Sequence, residues 1–125
     1  MRKQIGCFSS HIINLLNLDI EPNTPIYISD TNIIHMKSSH RDDYLKYGCD
    51  IEFIISNPDY VGKNNKDNSI EFTKDYFNNN EFVKVAVRVS TNGIYYARSL
   101  YVLNSNRVDN FIKKVTHNKT RQKNN

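Results

Sequence analysis

Two histidines, His35 and His40, are the first residues in this sequence suited to catalysis, because imidazole can exchange a proton near neutral pH. They are five residues apart in a predicted helix, which corresponds to about 140° around the helix axis. Their rings can therefore converge only if His40 lies beyond the end of the helix. His11 and His117 are expected at the protein surface. His35 and His40 are thus candidates for acid–base chemistry, with purely structural roles as the alternative.

A second group of functional side chains lies on two runs, 82–89 and 94–103, which flank Asn92-Gly93. Asn-Gly is the strongest short signal of a β-hairpin. If these two residues form the turn, the register of both strands follows. One face of the hairpin then carries Lys84, Ala86, Arg88, Tyr95, Ala97, Ser99 and Tyr101. The other face is apolar apart from Arg98, and we expect it to pack on helices.

The polar face of this hairpin suits a nucleic acid. Two cations, a hydroxyl and aromatic rings, with no carboxylate among them, could bind a phosphate and stack on a base. An ordinary solvated sheet face is the alternative. A β-bulge in either strand would shift the faces and could bring Arg98 beside Ser99. The position of Arg98 among apolar residues suggests such a bulge, so whether Arg98 or Arg88 faces the site stays open.

The elements that must position these residues are helices in the first half and strands in the second. A short strand is predicted at 4–8 and an extended segment at 26–28. Helices are predicted after a cap at Ser9 or Ser10, from about 31 to 39 after a cap at Ser29 or Asp30, and from about 42 to 57 with Gly48 as a candidate break. Strands follow at 59–62, at 70–76 and in the hairpin, and a helical stripe runs from Val108 to Val115. This order predicts an α+β fold.

Length and charge set further limits. With 125 residues, the chain fits one domain, predicted at 1–115. This domain would consist of an N-terminal strand and helix (1–25) and a core (26–115). The basic tail that follows, 116–125, is expected to be disordered. A net charge of +4 and a pI near 9.1 favour a polyanionic partner, with RNA or DNA ahead of an anionic membrane. No run approaches the ~20 apolar residues of a membrane span, and no signal peptide is recognisable. Two distant cysteines, expected to be reduced core thiols, complete the prediction of a cytoplasmic protein.

Several short motifs resemble those of a known nuclease superfamily. They are Ile34-His35-Met36-Lys37-Ser38-Ser39-His40, Tyr44, Ile54-Ile55-Ser56-Asn57-Pro58-Asp59-Tyr60, Phe82-Val83-Lys84-Val85 and Ala97-Arg98-Ser99-Leu100-Tyr101. Between Ile26 and Val115 the chain is similar to small nucleases, associated with phages and mobile elements, of the barnase–EndoU–colicin–RelE (BECR) superfamily of metal-independent ribonucleases. One departure is Arg41, which directly follows His40 where many of these proteins have Pro or Gly.

The resemblance implies a fold, a reaction and roles for individual residues. Helices would pack on a four-stranded antiparallel sheet whose open face holds the active site, with a further helix at the C-terminus. The RNA 2′-OH would attack the adjacent phosphate to give a 2′,3′-cyclic phosphate, a reaction that needs a base, an acid and cations but no metal or cofactor. The expected catalytic residues are His40 and His35 as acid and base, Lys84 as charge stabiliser, and Ser99 and Tyr101 on the phosphate or base. The expected substrate-binding residues are Arg98, Arg88, Tyr95 and Arg41.

Other functions compete with this one. The same fold could bind RNA, DNA or a phage structural protein without cutting, whereas an immunity-type protein is disfavoured because such proteins are more often acidic. A zinc site built from His35, His40, Cys49 and Asp50 matches no common ligand spacing. A Ser-His-Asp hydrolase that uses Ser99 as nucleophile is also disfavoured, because Ser99 lies in mid-strand rather than on a nucleophile elbow. The leading prediction is an endoribonuclease that acts as a toxin or as a phage or mobile-element effector. Its partners would be RNA and, for a toxin, a cognate immunity or antitoxin protein.

Overall fold

A six-stranded sheet forms the centre of the computed structural model, which describes residues 1–104 and 106–109. The strands are β1 (Arg2–Cys7), β2 (Pro25–Ser29), β3 (Tyr60–Lys63), β4 (Ile70–Tyr76), β5 (Glu81–Val89) and β6 (Tyr95–Val102). The helices are α1 (Ser10–Leu16), α2 (Asp30–Ser39), α3 (Arg41–Tyr47) and α4 (Ile51–Ser56), with 3-10 turns at Gly48–Asp50 and Phe77–Asn79. The spatial order of the strands is β1-β2-β6-β5-β4-β3.

This sheet confirms the α+β class but not the predicted number of strands. The prediction of four antiparallel strands is wrong, because β1 and β2 extend the sheet beyond the C-terminal meander. β2 and β6 are parallel, with Ile26 paired with Tyr95 and Tyr27 with Tyr96, whereas the other neighbouring strands are antiparallel. Because β2 and β6 are about 70 residues apart in the chain and share only these two residue pairs, no local sequence pattern predicts that they are neighbours.

Side-chain caps fix where the first two helices begin. At α1 the Ser9 hydroxyl accepts a hydrogen bond from the Ile12 amide at 3.2 Å. At α2, Ser29 and Asn32 form a capping box, in which the side chain of each accepts from the backbone amide of the other, at 3.1 and 2.9 Å. α2 ends directly before His40, whose φ of −143° is not helical. His40 is therefore released from the helical spacing that would keep it away from a histidine on α2.

The sheet has a core face and an open face. The core face carries the fully buried side chains of Val83, Val85 and Val87, against which residues of α1 and α4 pack. The open face carries the alternating side chains of Lys84, Ala86 and Arg88. α2 and α3 contact β6, and the Asp43 carboxylate of α3 accepts a hydrogen bond from the Val102 amide at 2.9 Å. These two helices therefore border the open face along the part of β6 that β2 leaves free.

A β-bulge at Arg98 divides the β5–β6 hairpin into two parts. Beyond the bulge, Lys84 pairs with Tyr101 and Ala86 with Ser99, which is the predicted register. Toward the turn the pairing is shifted by one residue, and Arg98 is the extra residue of β6. The bulge that the sequence suggested is therefore present.

The turn of the hairpin is longer than the predicted two residues. Residues 90–94 connect the strands, and Val89 pairs with Tyr95. Because of the shift, Tyr95 faces the core, where its ring meets that of Phe8 edge-on with 5.0 Å between centroids. The prediction that Tyr95 lies on the polar face is wrong, and Tyr96 takes that position instead.

The remaining predictions concern the cysteines, the C-terminus and membrane spans. Cys7 and Cys49 are free but exposed, so the prediction of core thiols is wrong. Of the predicted C-terminal helix from Val108 to Val115, only 108 and 109 are described, and they belong to a helical segment at 106–109. Its residues 110–115 and the predicted tail 116–125 lie outside the described residues. Within 1–104 and 106–109, no helix has the length and apolar character needed to cross a bilayer.

Candidate active site

A cleft opens on the open face of the sheet, between α2 and the β5–β6 hairpin. It has a volume of about 370 Å³ and is lined by Thr31, Asn32, His35, Asp67, Ser69, Ala86, Arg88, Arg98 and Ser99. The small side chain of Ala86 leaves room above the middle of the hairpin. Four residues predicted from the sequence, His35, Arg88, Arg98 and Ser99, are thus brought together around one cleft.

Arg98 reaches the cleft because of the bulge. Its Nε is buried and has no hydrogen-bond partner among the residues that the structure describes. Buried polar groups in proteins are nearly always paired. The unpaired guanidinium nitrogen beside the cleft can therefore donate a hydrogen bond to a bound ligand or to water.

Arg88 is the second cation of the cleft, and it faces an acidic side chain. Its Nη1 lies 3.9 Å from Oδ2 of Asp67, and both side chains are partly exposed. The Ser69 backbone amide donates to Oδ1 of Asp67 at 3.0 Å, and this hydrogen bond, helped by the charge of Arg88, lowers the pKa of Asp67. The ionised carboxylate lies beside Arg88 in the cleft and would repel an anionic ligand bound there.

α2 brings His35 into the cleft from the side. The next residue, Met36, is buried in the core, so packing sets the rotation of the helix. His35 Nε2 lies 3.4 Å from the hydroxyl of Ser39, one turn further along the helix. The His35 ring is exposed toward the cleft opening and is placed to exchange a proton with a bound ligand.

A second cluster continues the open face beyond Ser99. Tyr101 lies opposite Lys84 in the sheet, and the His40 ring stacks against Tyr101 with 5.4 Å between centroids. The amino group of Lys84 lies 3.1 Å from a carboxylate oxygen of Glu71, and the two side chains are only 12% and 18% exposed. Burial, followed by the negative charge of Glu71, raises the pKa of Tyr101. The phenol therefore stays protonated at neutral pH and can donate a hydrogen bond.

The predicted site residues thus fall into three groups. The cleft holds His35, Arg88, Arg98 and Ser99, and the adjoining cluster holds His40, Lys84 and Tyr101. Two predicted substrate-binding residues lie elsewhere. Tyr95 packs on the core face, and Arg41 is exposed at the first position of α3 and does not line the cleft.

Sequence reasoning missed five polar residues of this region, namely Thr31, Asn32, Asp67, Ser69 and Glu71. A signal for Glu71 existed, because it alternates in β4 with the buried residues Ile70 and Phe72 and so belongs to the open face. Its place beside the cleft also needs the β4–β5 register, which pairs it with Ala86. Asp67 and Ser69 come from the loop before β4, whose path the sequence does not reveal.

The Asn57-Pro58-Asp59-Tyr60 motif plays a structural part instead. Asp59 is buried, and one of its carboxylate oxygens accepts a hydrogen bond from the Asp75 amide at 2.8 Å. Its other oxygen lies 3.5 Å from the amino group of Lys74, which also donates to the Asn57 carbonyl at 2.8 Å. The motif therefore ties the end of α4 to β4.

The structure does not assemble the zinc site considered from the sequence. Cys49 is exposed, and Asp50 accepts a hydrogen bond from the Tyr76 hydroxyl at 2.8 Å. Throughout the described part of the chain, no group of three or more His, Cys, Asp or Glu side chains could hold a metal ion.

Comparison with known proteins agrees with the resemblance seen in the motifs. The family model described as phage-Barnase-EndoU-ColicinE5/D-RelE like nuclease3 matches residues 3–110. This range includes both walls of the cleft and the adjoining cluster. No curated protein and no solved structure matches the chain. On the extent of the family match, the chain belongs to this phage-type nuclease family of the BECR superfamily.

Proposed function

We propose that the chain is a metal-independent endoribonuclease, in which the RNA 2′-OH attacks the adjacent phosphate and leaves a 2′,3′-cyclic phosphate. Membership of a nuclease family supports nuclease activity in general. The observation that carries the proposal is the buried, unpaired Nε of Arg98 in a cleft that also contains His35, Arg88 and Ser99. An RNA phosphate would supply the missing acceptor.

The scissile phosphate would lie above Ala86, between the two arginines. A guanidinium can hold two phosphate oxygens at once, so Arg98 and Arg88 would bind the non-bridging oxygens while the Ser99 hydroxyl donates to one of them. Negative charge grows on these oxygens as the 2′-oxygen attacks. The cations would therefore stabilise the transition state more than the ground state.

Proton transfer needs one group near the attacking oxygen and another near the leaving oxygen. His35 borders the cleft from α2, and the neighbouring rings of His40 and Tyr101 lie beyond the cleft, further along β6. We assign His35 and His40 to the acid–base pair, with the protonated Tyr101 as a hydrogen-bond donor. Lys84 would add positive potential from beside Tyr101, with Glu71 fixing its position.

Cleavage of labelled RNA in EDTA, followed by analysis of the product ends, tests this proposal. The wild type should give 2′,3′-cyclic phosphate ends, and Arg98→Ala and His35→Ala should each lower kcat/KM by about 10²–10³-fold. Arg41→Ala is a matched control, because it removes an exposed arginine outside the cleft. Growth arrest on expression of the wild type, but not of Arg98→Ala, would support a role as a toxin or effector.

Two results would contradict the proposal. Salt-sensitive RNA binding without any cleavage would identify a non-catalytic RNA-binding protein of the same fold. Cleavage that EDTA abolishes and added Mg²⁺ restores would overturn metal independence.

A further inference from the structure

We infer that the open face carries a subsite for single-stranded RNA, formed by a row of side chains that leads away from the cleft. The inference rests on the proposed ribonuclease function and deepens it. It places nucleotides next to the scissile phosphate on the rings of Tyr96 and Tyr27.

Four neighbouring strands contribute one residue each to this row. Gln4 of β1 pairs with Tyr27 of β2, which in turn pairs with Tyr96 of β6. Tyr96 pairs with Arg88 of β5. Directly opposed residues project to the same side of a sheet, so all four lie on the open face; we call them the tyrosine row. Because Arg88 also lines the cleft, the row begins at the proposed phosphate site.

The chemistry of the tyrosine row fits bases and phosphates. The rings of Tyr27 and Tyr96 are half-buried, with 6.4 Å between their centroids and a tilt of 49°. The guanidinium carbon of Arg2 lies 4.4 Å from the centre of the Tyr27 ring. Aromatic rings bind single-stranded nucleic acids by stacking on bases, while nearby cations meet the backbone. The row contains two such rings and has Arg88 at one end, and Arg2 lies beside the row against the Tyr27 ring.

The spacing of the strands puts these rings within reach of an RNA chain bound in the cleft. Adjacent strands lie about 4.8 Å apart, so Tyr96 and Tyr27 stand about 5 and 10 Å from Arg88 across the sheet. One or two nucleotides beside the scissile phosphate would cover that span. In a double helix the base faces are stacked on one another, so the row selects single-stranded RNA.

The bulge at Arg98 produces both the cleft and the row. It aims Arg98 at the cleft, and it turns Tyr96 rather than Tyr95 to the open face. The phosphate site and the stacking surface therefore depend on the same irregularity of β6.

Binding of a single-stranded RNA tests the row independently of cleavage. The probe is a fluorescent 2′-O-methyl RNA of about eight nucleotides, which 2′-OH attack cannot cut. Tyr27→Ala and Tyr96→Ala should each weaken its binding about tenfold, whereas Tyr27→Phe and Tyr96→Phe should retain it because stacking needs only the ring. Phe77→Ala is the matched control, since Phe77 is a highly exposed aromatic residue outside the row.

Cleavage of a dinucleoside phosphate separates this inference from the proposed function. Tyr27→Ala should cut the dinucleotide as the wild type does, because the single nucleoside on that side of the phosphate would reach Tyr96 but not Tyr27, which lies one strand further from the cleft. Unchanged binding of the longer RNA in both alanine variants would overturn the row, as would tighter binding of a duplex of the same sequence. A wild type that binds the single strand through the tyrosines but cuts no RNA would support the row and refute the proposed function.

Discussion

Arg88 lies directly opposite Tyr96 in the β5–β6 hairpin, so a cation of the cleft and the first ring of the tyrosine row form one cross-strand pair. In an unbulged hairpin Ala97 would stand opposite Arg88, and Arg98 would face the core. Burial of an unpaired guanidinium among apolar side chains is strongly unfavourable. The extra residue relieves that conflict and places both arginines on the open face.

Replacement of Arg98 should separate activity from stability. Because its Nε has no partner among the described residues, Arg98→Ala should change the free energy of unfolding by less than about 1 kcal/mol. The same variant should lower kcat/KM by about 10²–10³-fold. Urea denaturation and RNA cleavage measure the two effects. Arg98→Lys, which keeps the charge without the planar fork, should recover part of the activity. A loss of stability above about 2 kcal/mol would show that Arg98 mainly holds the fold.

In contrast to replacement of Arg98, disruption of the Lys84–Glu71 ion pair should lower the stability of the protein. Its side chains are only 12% and 18% exposed, so Lys84→Met leaves the Glu71 carboxylate poorly solvated and should cost about 2 kcal/mol of stability. The double variant Lys84→Met with Glu71→Gln should restore most of that loss. Urea denaturation of the four proteins of this cycle measures the coupling. If the double variant regains stability but not RNA cleavage, Lys84 acts on the substrate; if it regains both, the role of Lys84 is structural.

Local signals predicted the individual elements well. The capping residues Ser9 and Ser29 gave the starts of α1 and α2, and alternation gave β4 at 70–76, because caps and side-chain faces are decided within a few residues. Gly48 interrupts the third predicted helix, as expected, since α3 ends at Tyr47. The six-stranded sheet was not predictable in the same way, because the β2–β6 pairing joins distant segments.

The sequence predicted part of the residues that share the open face, but not the full lining of the cleft. Beyond the bulge, Ser99 and Lys84 were placed on the correct face because the extra residue Arg98 offsets the one-residue shift that the longer turn introduces. Tyr95 was assigned wrongly, since one extra residue in a strand exchanges the faces of everything between it and the turn. The carboxylates of Asp67 and Glu71 were missed because only the folded loop and the β4 register bring them to the cleft.

Neutralising the carboxylate in the cleft should strengthen RNA binding. Asp67 lies 3.9 Å from Arg88, and its lowered pKa keeps it ionised at neutral pH. Asp67→Asn should therefore raise RNA affinity roughly two- to fivefold at low salt, with less gain at high salt, because the groups are partly exposed. Fluorescence anisotropy with an uncleavable RNA measures this. Asp42→Asn makes the same charge change on exposed α3, and an equal gain in that control would mean that only net charge matters.

Glu81 should make stability depend on pH in the acidic range. The amino group of Lys46 and the hydroxyl of Tyr47 each donate to its carboxylate at 2.6 Å, and these hydrogen bonds lower its pKa. The stability that these interactions of ionised Glu81 contribute is fully present at a pH above the ordinary glutamate pKa of about 4.3. It is lost as the pH falls through the lowered pKa of the folded state. Urea denaturation should show Glu81→Gln less stable than the wild type at neutral pH, with the difference shrinking in acid. Glu52→Gln, whose ion pair with Lys3 is more exposed, should show a smaller difference throughout. A Glu81→Gln deficit that stays constant in acid would mean that the substitution acts through packing rather than charge.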